Sequence, residues 1–392
     1  MLTDRTTTAG RATELLRDMV AIESVNPFFA DGARGEVAMA DYVADQFTRL
    51  GFEPQRQMVV DGRENVYARL DVPNAAATIL FEAHMDTVTL EPVGRAMLDP
   101  RIGDGRMNGR GSCDTKASLA AMLTALEALR QRTADLRCNV IVMGSVDEEY
   151  LMRGIVAFAT DGPKVDAAIV GEPTGNNVVR AHKGLVRWRI ATRGRAAHTS
   201  RPESGDNAIY QMAATIAGLR RAIDPGLKTK MHPLLSPPTF TVSMIEGGLG
   251  ANIVPDRCEI TIDRRTLPFE RHADVIADLH AAAAALMRQD PSLHIEIAEP
   301  FANIGGLDTP DGTPIVTLAT RIAAQHGGDV VARGVPYGTN APGLAERGVP
   351  TIVLGPGDIG QAHTDSEWVD LNEVERAAEM YARIALSFPG SA

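Results

Sequence analysis

The sequence predicts an α/β protein, with an open mixed sheet flanked by helices and a second βαββαβ domain inserted into it. Three observations favour this fold. Apolar runs typical of buried strands alternate with helical periodicity over residues 1–182 and again over 299–392. Residues 183–298 change to half-exposed strands and amphipathic helices. At 392 residues the chain is also too long for one ordinary hydrophobic core.

Composition indicates an ordinary globular protein. Hydrophobic residues make up 44% of the chain and charged residues 23%, which excludes a disordered or fibrous protein. With 39 Lys and Arg against 50 Asp and Glu, the net charge is −11. This acidity argues against nucleic acid or an anionic membrane as the main partner.

Several features favour an unprocessed cytoplasmic protein. The N-terminal residues Met-Leu-Thr-Asp-Arg lack the apolar core of a signal peptide, and no apolar run approaches the ~18 residues of a membrane span. Cys113, Cys138 and Cys258 form no CxxC pair. A disulfide framework and a cysteine zinc site are therefore not indicated, and a reducing compartment fits.

The buried strands of the first domain share one feature, because each ends in an imidazole or a carboxylate. The run that begins at Ile79 ends in His84 and Asp86, which lie two residues apart and therefore on one face. The run 139–146 ends in Asp147-Glu148-Glu149, and the run 167–170 is followed by Glu172. Since the carboxyl ends of parallel strands converge at one edge of a sheet, we expect these side chains to meet there.

Other elements complete the first domain. A glycine-rich loop over 103–114 runs into an Ala- and Leu-rich helix that ends near Arg132, so Asp114 lies at a helix start. The loop lacks the GxGxxG order and the Walker Gly-Lys-Ser/Thr ending, which argues against a dinucleotide or phosphate site. A later loop carries His363. The remaining predictions are helices at 11–22, 35–50, 313–325 and 371–387, extended segments near Val59 and at 66–70, a loop at 337–343 and a strand at 351–354.

The inserted domain has the element order of a ferredoxin-like split unit. It is long enough to form a domain of its own. Its predicted elements are strands at 185–193, 239–246, 257–263 and 293–298 and helices at 206–222 and 271–288.

Five residues at these strand ends and loops have ligand chemistry. They are His84, Asp114, Glu149, Glu172 and His363. Zinc and similar cations bind imidazole and carboxylate groups, and a pair of cations needs a bridging carboxylate with about two further ligands each. The chain supplies that set. Its neighbours Asp86 and Glu148 stay free for orienting and acid/base roles.

On these residues the chain resembles the M20 metallopeptidase and amidohydrolase family, which includes acetylornithine deacetylase, succinyl-diaminopimelate desuccinylase, aminoacylase-1 and glutamate carboxypeptidase. The matching segments are His84-Met-Asp86, Gly109-Arg-Gly-Ser-Cys-Asp114-Thr-Lys, Asp147-Glu148-Glu149, Gly171-Glu172-Pro-Thr and Ala362-His363-Thr-Asp. The resemblance implies a zinc-exopeptidase-like catalytic domain. It also implies two divalent metal ions per chain, usually zinc, with cobalt or manganese as alternatives.

The resemblance also implies roles for individual residues. His84 and Glu172 would bind one metal, Glu149 and His363 the other, and Asp114 would bridge the two. Asp86 would orient His84. Glu148 would be the general base that acts on the attacking water.

In the inserted domain the resemblance implies substrate contacts and a homodimer formed through this domain. His198, in Gly194-Arg-Ala-Ala-His198-Thr-Ser, would help hold the scissile carbonyl oxygen, often in the partner subunit's site. Asn252 and Arg265 would contact the substrate carboxylate. Arg265 is preferred to Arg264 because it falls at the arginine of the family's Asp-x-Arg. His182 is interpreted as structural.

The functional prediction is metal-dependent hydrolysis of an amide bond in an N-acyl amino acid or short peptide with a free carboxylate, most like an acetylornithine deacetylase. A dipeptidase or glutamate-carboxypeptidase activity stays open, and a non-catalytic binding protein is a remote alternative. A thiol hydrolase that uses Cys113 with His84 lacks a convincing orienting partner. Asn340, in the substrate-side loop Gly338-Thr339-Asn340-Ala341, stands where many relatives carry an acid, which weakens any claim that the substrate bears a second amino group.

Overall fold

The computed structural model describes residues 10–30, 32–60 and 62–389, and its contacts divide the chain into two units. Unit 1 comprises Met1–Arg180, Thr309–Arg333 and Thr339–Ala392, and unit 2 comprises Ala181–Asp308 and Gly334–Gly338. The chain returns to unit 1 at Thr309 and not at the predicted residue 299. The difference arises because Ala302–Ile304, which follows residue 299, pairs with Gly184–Arg193 of unit 2.

The described strands and helices follow the chain in this order. The strands before the insertion are β1 (Gln55–Val60), β2 (Arg63–Leu70), β3 (Ala77–His84), β4 (Arg101–Gly103), β5 (Arg106–Asn108), β6 (Cys138–Ser145), β7 (Ala167–Val170) and β8 (Val179–His182). The later strands are β9 (Gly184–Arg193), β10 (Ala197–His198), β11 (Thr239–Gly247), β12 (Ile253–Val254), β13 (Arg257–Thr266), β14 (Ile295–Ile297), β15 (Ala302–Ile304), β16 (Leu307–Asp308), β17 (Arg333–Val335), β18 (Thr351–Val353) and β19 (Trp368–Asp370). The helices are α1 (Arg11–Val20), α2 (Val37–Arg49), α3 (Lys116–Arg130), α4 (Arg153–Asp161), α5 (Ala208–Leu227), α6 (His272–Gln289), α7 (Pro314–Gln325), α8 (Ala341–Ala345) and α9 (Leu371–Ser387).

The main sheet of unit 1 is mixed, as predicted. Its strands lie in the order β1-β2-β6-β3-β7-β18-β8. β3 runs parallel to β6 and β7, and β18 runs parallel to β7, whereas β2 is antiparallel to β6. β3 is buried along almost its whole length, because its apolar residues pack on both faces of the sheet. The parallel centre of the sheet therefore carries the strand ends that the sequence singles out.

One continuous apolar core joins this sheet to its helices. Helices α1, α3, α7 and α9 pack against one another, and their buried side chains form one cluster with those of β2, β3 and β6. α3 is buried on nearly all sides, as expected of a helix that is apolar all round. Several of its buried residues are alanines, whose small side chains let the neighbouring helices approach closely. Asp370 caps α9, since its side chain accepts a hydrogen bond from the Asn372 backbone. The burial fixes the N-terminus of α3, which begins at Lys116, two residues after Asp114.

Unit 2 contains the predicted βαββαβ order. Its sheet has the order β11-β13-β9-β14, with all of these pairs antiparallel, and β15 pairs beside β14 on β9. Apolar residues of the sheet pack against α5 and α6 around Trp188. His182 is fully buried with its Nδ1 2.9 Å from the Lys183 carbonyl oxygen, and burial lowers its pKa to about 4. A neutral, packed imidazole fits the structural role predicted for it.

Most predicted elements appear within a few residues of their expected bounds. One exception is α8 (Ala341–Ala345), which begins inside the segment 337–343 that the sequence predicts as a loop. Pro342 and Gly343 suggest a turn in the sequence, but proline is tolerated in the first turn of a helix. No helix of the described ranges is long and apolar enough to cross a membrane.

Candidate metal centre

Three neighbouring parallel strands deliver three of the five candidate ligands to one edge of the unit 1 sheet, and Asp114 and His363 come from loops. His84, the last residue of β3, is level with Ser145, the last residue of β6. Glu148 and Glu149 follow β6 by a few residues, and Glu172 follows β7. Because the strands are in register, the turns that leave them lie side by side. The strand ends therefore converge as the sequence predicts.

Five side chains meet at this edge as two groups that share one residue. His84, Asp114 and Glu172 form the first group, and Asp114, Glu149 and His363 form the second. Within each group the ligand-type atoms lie within 4.8 Å of one another. The Asp114 carboxylate joins the groups, with Oδ1 3.1 Å from His84 Nε2 and Oδ2 3.2 Å from His363 Nε2. Each group thus offers one imidazole and two carboxylates.

The electrostatics of the cluster favour added positive charge. Burial lowers the pKa of His84, but hydrogen bonds to Asp114 and Asp86 outweigh it and raise that pKa well above its usual value. Hydrogen bonds to Asp114 and Glu149 raise the pKa of His363 to about 11. Burial raises the pKa of Glu172. Both effects follow from several carboxylates being buried together. Burial disfavours the ionised carboxylates, and the carboxylates favour the protonated form of each imidazole. The donor set and its charge fit divalent metal ions.

Asp86 holds three parts of the site at once. Its carboxylate accepts hydrogen bonds from the backbone N–H groups of Glu148 and Glu149, both at 3.1 Å, and from Asn26 Nδ2 at 2.8 Å. Its backbone carbonyl lies 3.0 Å from His84 Nδ1, and its Oδ1 lies 3.4 Å from the same atom. With Nδ1 directed at Asp86, Nε2 of His84 is left facing Asp114. Asp86 therefore orients both the imidazole and the turn that carries the two glutamates.

The two adjacent glutamates differ in their surroundings. Glu149 contacts His363 Nε2 at 3.2 Å and belongs to the second group. The side chain of Glu148 belongs to neither group. Burial raises the pKa of Glu148 well above its usual value, and the charge of His84 acts on it in the opposite direction. Glu148 is thus close to the cluster without being part of either group.

A buried ion network, which the sequence did not single out, supports the turn after β6. Asp147 has a positive φ of 69° and accepts hydrogen bonds from Arg63 at 3.1 Å and from Arg153 at 2.6 Å. Arg63 also pairs with Glu36, whose Oε1 accepts from the Asp147 backbone N–H at 2.8 Å. A residue held in the left-handed region needs such support. These distant partners give no local sequence signal, because each looks like a surface charge.

The structure corrects the interpretation of Asn340 as a residue of a substrate-side loop. Asn340 is buried, and its Nδ2 donates to Glu82 Oε1 at 2.9 Å and to Ser145 Oγ at 3.1 Å. An acid at this position would place a second carboxylate against the buried Glu82, which is unfavourable without a proton or a cation between them. The choice of asparagine is therefore explained by Glu82. It gives no information about a second amino group on the substrate.

The thiol alternative has no geometric support. Cys113 is fully buried, with its Sγ 3.3 Å from the Asp358 carbonyl oxygen. Burial raises the pKa of the thiol well above its usual value, which opposes formation of a nucleophilic thiolate. Both ring nitrogens of His84 face Asp86 and Asp114 instead.

The predicted substrate residues all lie in unit 2. His198, on β10, and Asn252 are exposed. Arg265 is partly exposed at the end of β13, and its Nε donates to Asp263 Oδ1 at 2.8 Å. Arg264 is buried and pairs with Glu270 at 2.7 Å. Of the two arginines, Arg265 is the one that keeps access to solvent.

Comparison with known proteins gives consistent relatives. The family model "Peptidase family M20/M25/M40" matches residues 80–387. The chain is 30% identical over 384 residues to an acetylornithine deacetylase of Proteus mirabilis, with 96% of each chain covered. The aminopeptidase PepT of Bacillus cereus superposes with a TM-score of 0.74 at 24% identity, over 96% of this chain and 97% of that one. A dinuclear metal-binding peptidase of Bacillus subtilis superposes with a TM-score of 0.71 at 16% identity, over 97% of this chain and 98% of that one.

The sharing of Asp114 predicts how metal content responds to substitution. We expect the unsubstituted protein to bind two divalent ions per chain, Asp114→Ala to lose both, and His363→Ala to retain one. The reason is that Asp114 belongs to both groups and His363 to one. Elemental analysis after dialysis measures the content. Glu82→Gln is the control, since Glu82 is a buried acid of β3 outside both groups. Equal metal loss in all three variants would contradict the assignment.

Proposed function

We propose, on the premise that the chain belongs to peptidase family M20/M25/M40 and is a metal-dependent hydrolase, that it cleaves the amide bond of an N-acyl amino acid or short peptide with a free carboxylate. The observation that carries this proposal is the pair of ligand groups joined by Asp114, with Glu148 beside them and in neither. The nearest activity is that of an acetylornithine deacetylase, the name of relatives about 30% identical over nearly the whole chain.

We assign the ligands from the two groups. His84 and Glu172 would hold one ion, Glu149 and His363 would hold the other, and Asp114 would be shared between the two. When bound, the ions polarise the amide carbonyl and make a water molecule more acidic. Zinc suits these donors, with cobalt and manganese as alternatives that the same donors accept.

Glu148 moves the proton in this proposal. A general base has to lie within reach of the attacking water while leaving its own carboxylate free of the metals. The hydrogen bond from the Glu148 backbone to Asp86 fixes where the side chain begins. Burial raises its pKa, so it can hold a proton taken from water and then release it to the departing amine.

The exchange Glu148→Gln tests this role. We expect the variant to keep both ions and to bind substrate, but to lose roughly 10² to 10⁴ in kcat, the usual contribution of general acid/base catalysis. The matched control is Glu149→Gln, one residue away, which should lose metal as well as activity. Steady-state kinetics and metal analysis of both variants provide the measurements. A near-normal kcat for Glu148→Gln would assign the base to another residue.

Deacylase and peptidase activities require a direct comparison. The sequence relatives named above are deacetylases, whereas several structural neighbours are named as peptidases. The two substrate classes share the amide and the free carboxylate and differ in the acyl part. Screening the metal-loaded protein with N-acetyl amino acids and with dipeptides of the same residues separates them. Preference for dipeptides would favour the exopeptidase alternative.

Arg265 is the proposed partner of the substrate carboxylate, with Asn252 adding a hydrogen bond. A guanidinium matches a carboxylate through two parallel hydrogen bonds. Asp263 lies between Arg187 and Arg265, at 2.8 Å from the Nε of each. Because Asp263 keeps a second arginine, Arg265 can turn toward a ligand without leaving Asp263 unpaired.

This proposal predicts non-additive losses. Changing Arg265→Ala and amidating the substrate carboxylate should each lower kcat/KM by roughly 10², since each removes the same charge-assisted contact. Arg187→Ala is the control because Arg187 pairs with the same Asp263. Kinetics with the acid and the amide are compared for each variant. If Arg265→Ala still prefers the acid as strongly as the parent does, Arg265 is not the partner.

We further propose a homodimer formed through unit 2. β11 is the edge strand of its sheet, and it exposes the apolar side chains of Met244 and Ile245. An exposed apolar edge strand invites pairing with a second copy. In His198, Nδ1 accepts a hydrogen bond from the Ser200 backbone N–H at 3.1 Å, so Nε2 carries the proton of the neutral ring. That N–H is a donor suited to a carbonyl oxygen.

Subunit mixing tests whether His198 acts across the dimer. His198→Ala and Glu148→Gln chains, each inactive alone, should recover part of the activity when mixed, because one site then has both residues. Sedimentation of a Met244→Arg/Ile245→Arg variant tests the interface, and we expect monomers. Absence of recovery after demonstrated subunit exchange would place His198 in its own subunit's site or outside catalysis.

The three cysteines are free and buried, which supports the cytoplasmic location proposed from the sequence.

A further inference from the structure

Glu367 is a buried carboxylate that touches the backbone of the shared ligand. Its side chain is 1% exposed. Oε1 accepts hydrogen bonds from the backbone N–H groups of Cys113 at 2.9 Å and Asp114 at 3.0 Å. Oε2 accepts from Arg110 Nη1 at 2.7 Å. The carboxylate thus holds the loop that presents Asp114.

The chain segment that contains Glu367 also carries a residue of the second ligand group. His363 lies four residues before Glu367. After Glu367 the chain enters β19, which pairs with β5 so that Trp368 lies opposite Asn108. The backbone of Gly109 also donates to the Glu367 carbonyl oxygen at 3.0 Å. The segment with His363 is therefore fastened to the loop with Asp114 by its backbone and by the Glu367 side chain.

The two groups differ in how firmly their members are held. In the first group, His84 ends a buried strand and is 1% exposed. In the second group, the His363 side chain is 51% exposed, and its backbone has a positive φ of 63° in a loop. Glu149 is held independently, by the bond from its backbone to Asp86. The position of His363 relative to Asp114 is the variable that depends on the Glu367 segment.

We propose that Glu367 is a positioning residue that couples Asp114 to His363 and so controls the affinity of the second ion, in the Asp114–Glu149–His363 group, more than that of the first. This inference rests on the dinuclear function proposed above. Removing an outer partner of a ligand typically lowers metal affinity 10- to 100-fold. In Glu367→Gln, the amide offers one acceptor oxygen where the carboxylate has two, and Arg110 loses its charged partner. The segment that carries His363 is then less firmly joined to the loop that carries Asp114, because Glu367 makes those side-chain bonds.

The experiment is a cobalt(II) titration of metal-free protein, followed by visible absorption and by elemental analysis. We expect the unsubstituted chain to take up two ions. Glu367→Gln should bind the first ion with an affinity close to that of the parent and the second 10- to 100-fold more weakly. His363→Ala marks the position of a one-ion protein in the same assay. The readout is metal binding itself and does not depend on activity.

The matched control comes from unit 2. The Glu270 side chain is likewise buried, at 3% exposed, and it accepts hydrogen bonds from the buried Arg264 and from Lys230, both at 2.7 Å, and from the Leu267 backbone N–H at 2.7 Å. Glu270→Gln should destabilise the protein in thermal unfolding about as much as Glu367→Gln does, while cobalt binding stays unchanged. If Glu367→Gln does not fold, Arg110→Gln/Glu367→Gln removes the unpaired buried cation and carries the same prediction for the second ion.

The outcomes separate the two levels of inference. Two ions of unchanged affinity in Glu367→Gln would overturn the positioning role while leaving the dinuclear site intact. Equal weakening of both ions, or the same weakening in Glu270→Gln, would also overturn it, because the effect would then be general destabilisation. An unsubstituted chain that binds fewer than two ions would instead contradict the proposed function.

Discussion

The structure of the site depends on one carboxylate, Asp114, shared between two groups of ligands. Each oxygen of Asp114 faces a different imidazole, which makes one residue a member of both groups. Packing so many carboxylates at one sheet edge is unfavourable without positive charge, since desolvation and mutual repulsion both oppose their ionisation. The raised pKa values of His84 and His363 are the local response to that crowding. Bound metal ions would compensate the same negative charge, and the hydrolysis proposed above depends on them.

Around Asp114 the molecule uses other acids as supports. Asp86 ties the turn after β6 to His84, Glu367 holds the backbone of the Asp114 loop, and Asp147 anchors the β6 turn to the buried Arg63. Each acid accepts backbone or arginine hydrogen bonds, so its charge is compensated where it is buried. Acids of one chemical type therefore divide into ligands and supports, and their neighbours decide which is which.

Much of this arrangement was visible in the sequence. The apolar run that ends in His84 and the runs before Glu149 and Glu172 predicted parallel strands with their ends at one edge, and the mixed α/β fold and the family were confirmed. The apolar runs identify these strands because a strand buried on both faces of a parallel sheet reads as a short, continuous apolar segment. The loop predicted at 337–343 was wrong from residue 341 onward, where α8 begins, since proline is found both in turns and in the first turn of a helix.

The sequence by itself determined which side chains could act, because residue chemistry and strand order are local properties that need no coordinates. Only the tertiary structure decided what each one contacts. The sequence places Asn340 in a substrate-side loop, yet the residue is buried against Glu82. No local pattern in the sequence marks Glu367, although its side chain holds the backbone of Asp114. Those contacts join residues more than 200 positions apart, and their existence depends on how the strands and loops pack. No periodicity or motif records such a contact, because burial and distance arise only when the chain has folded.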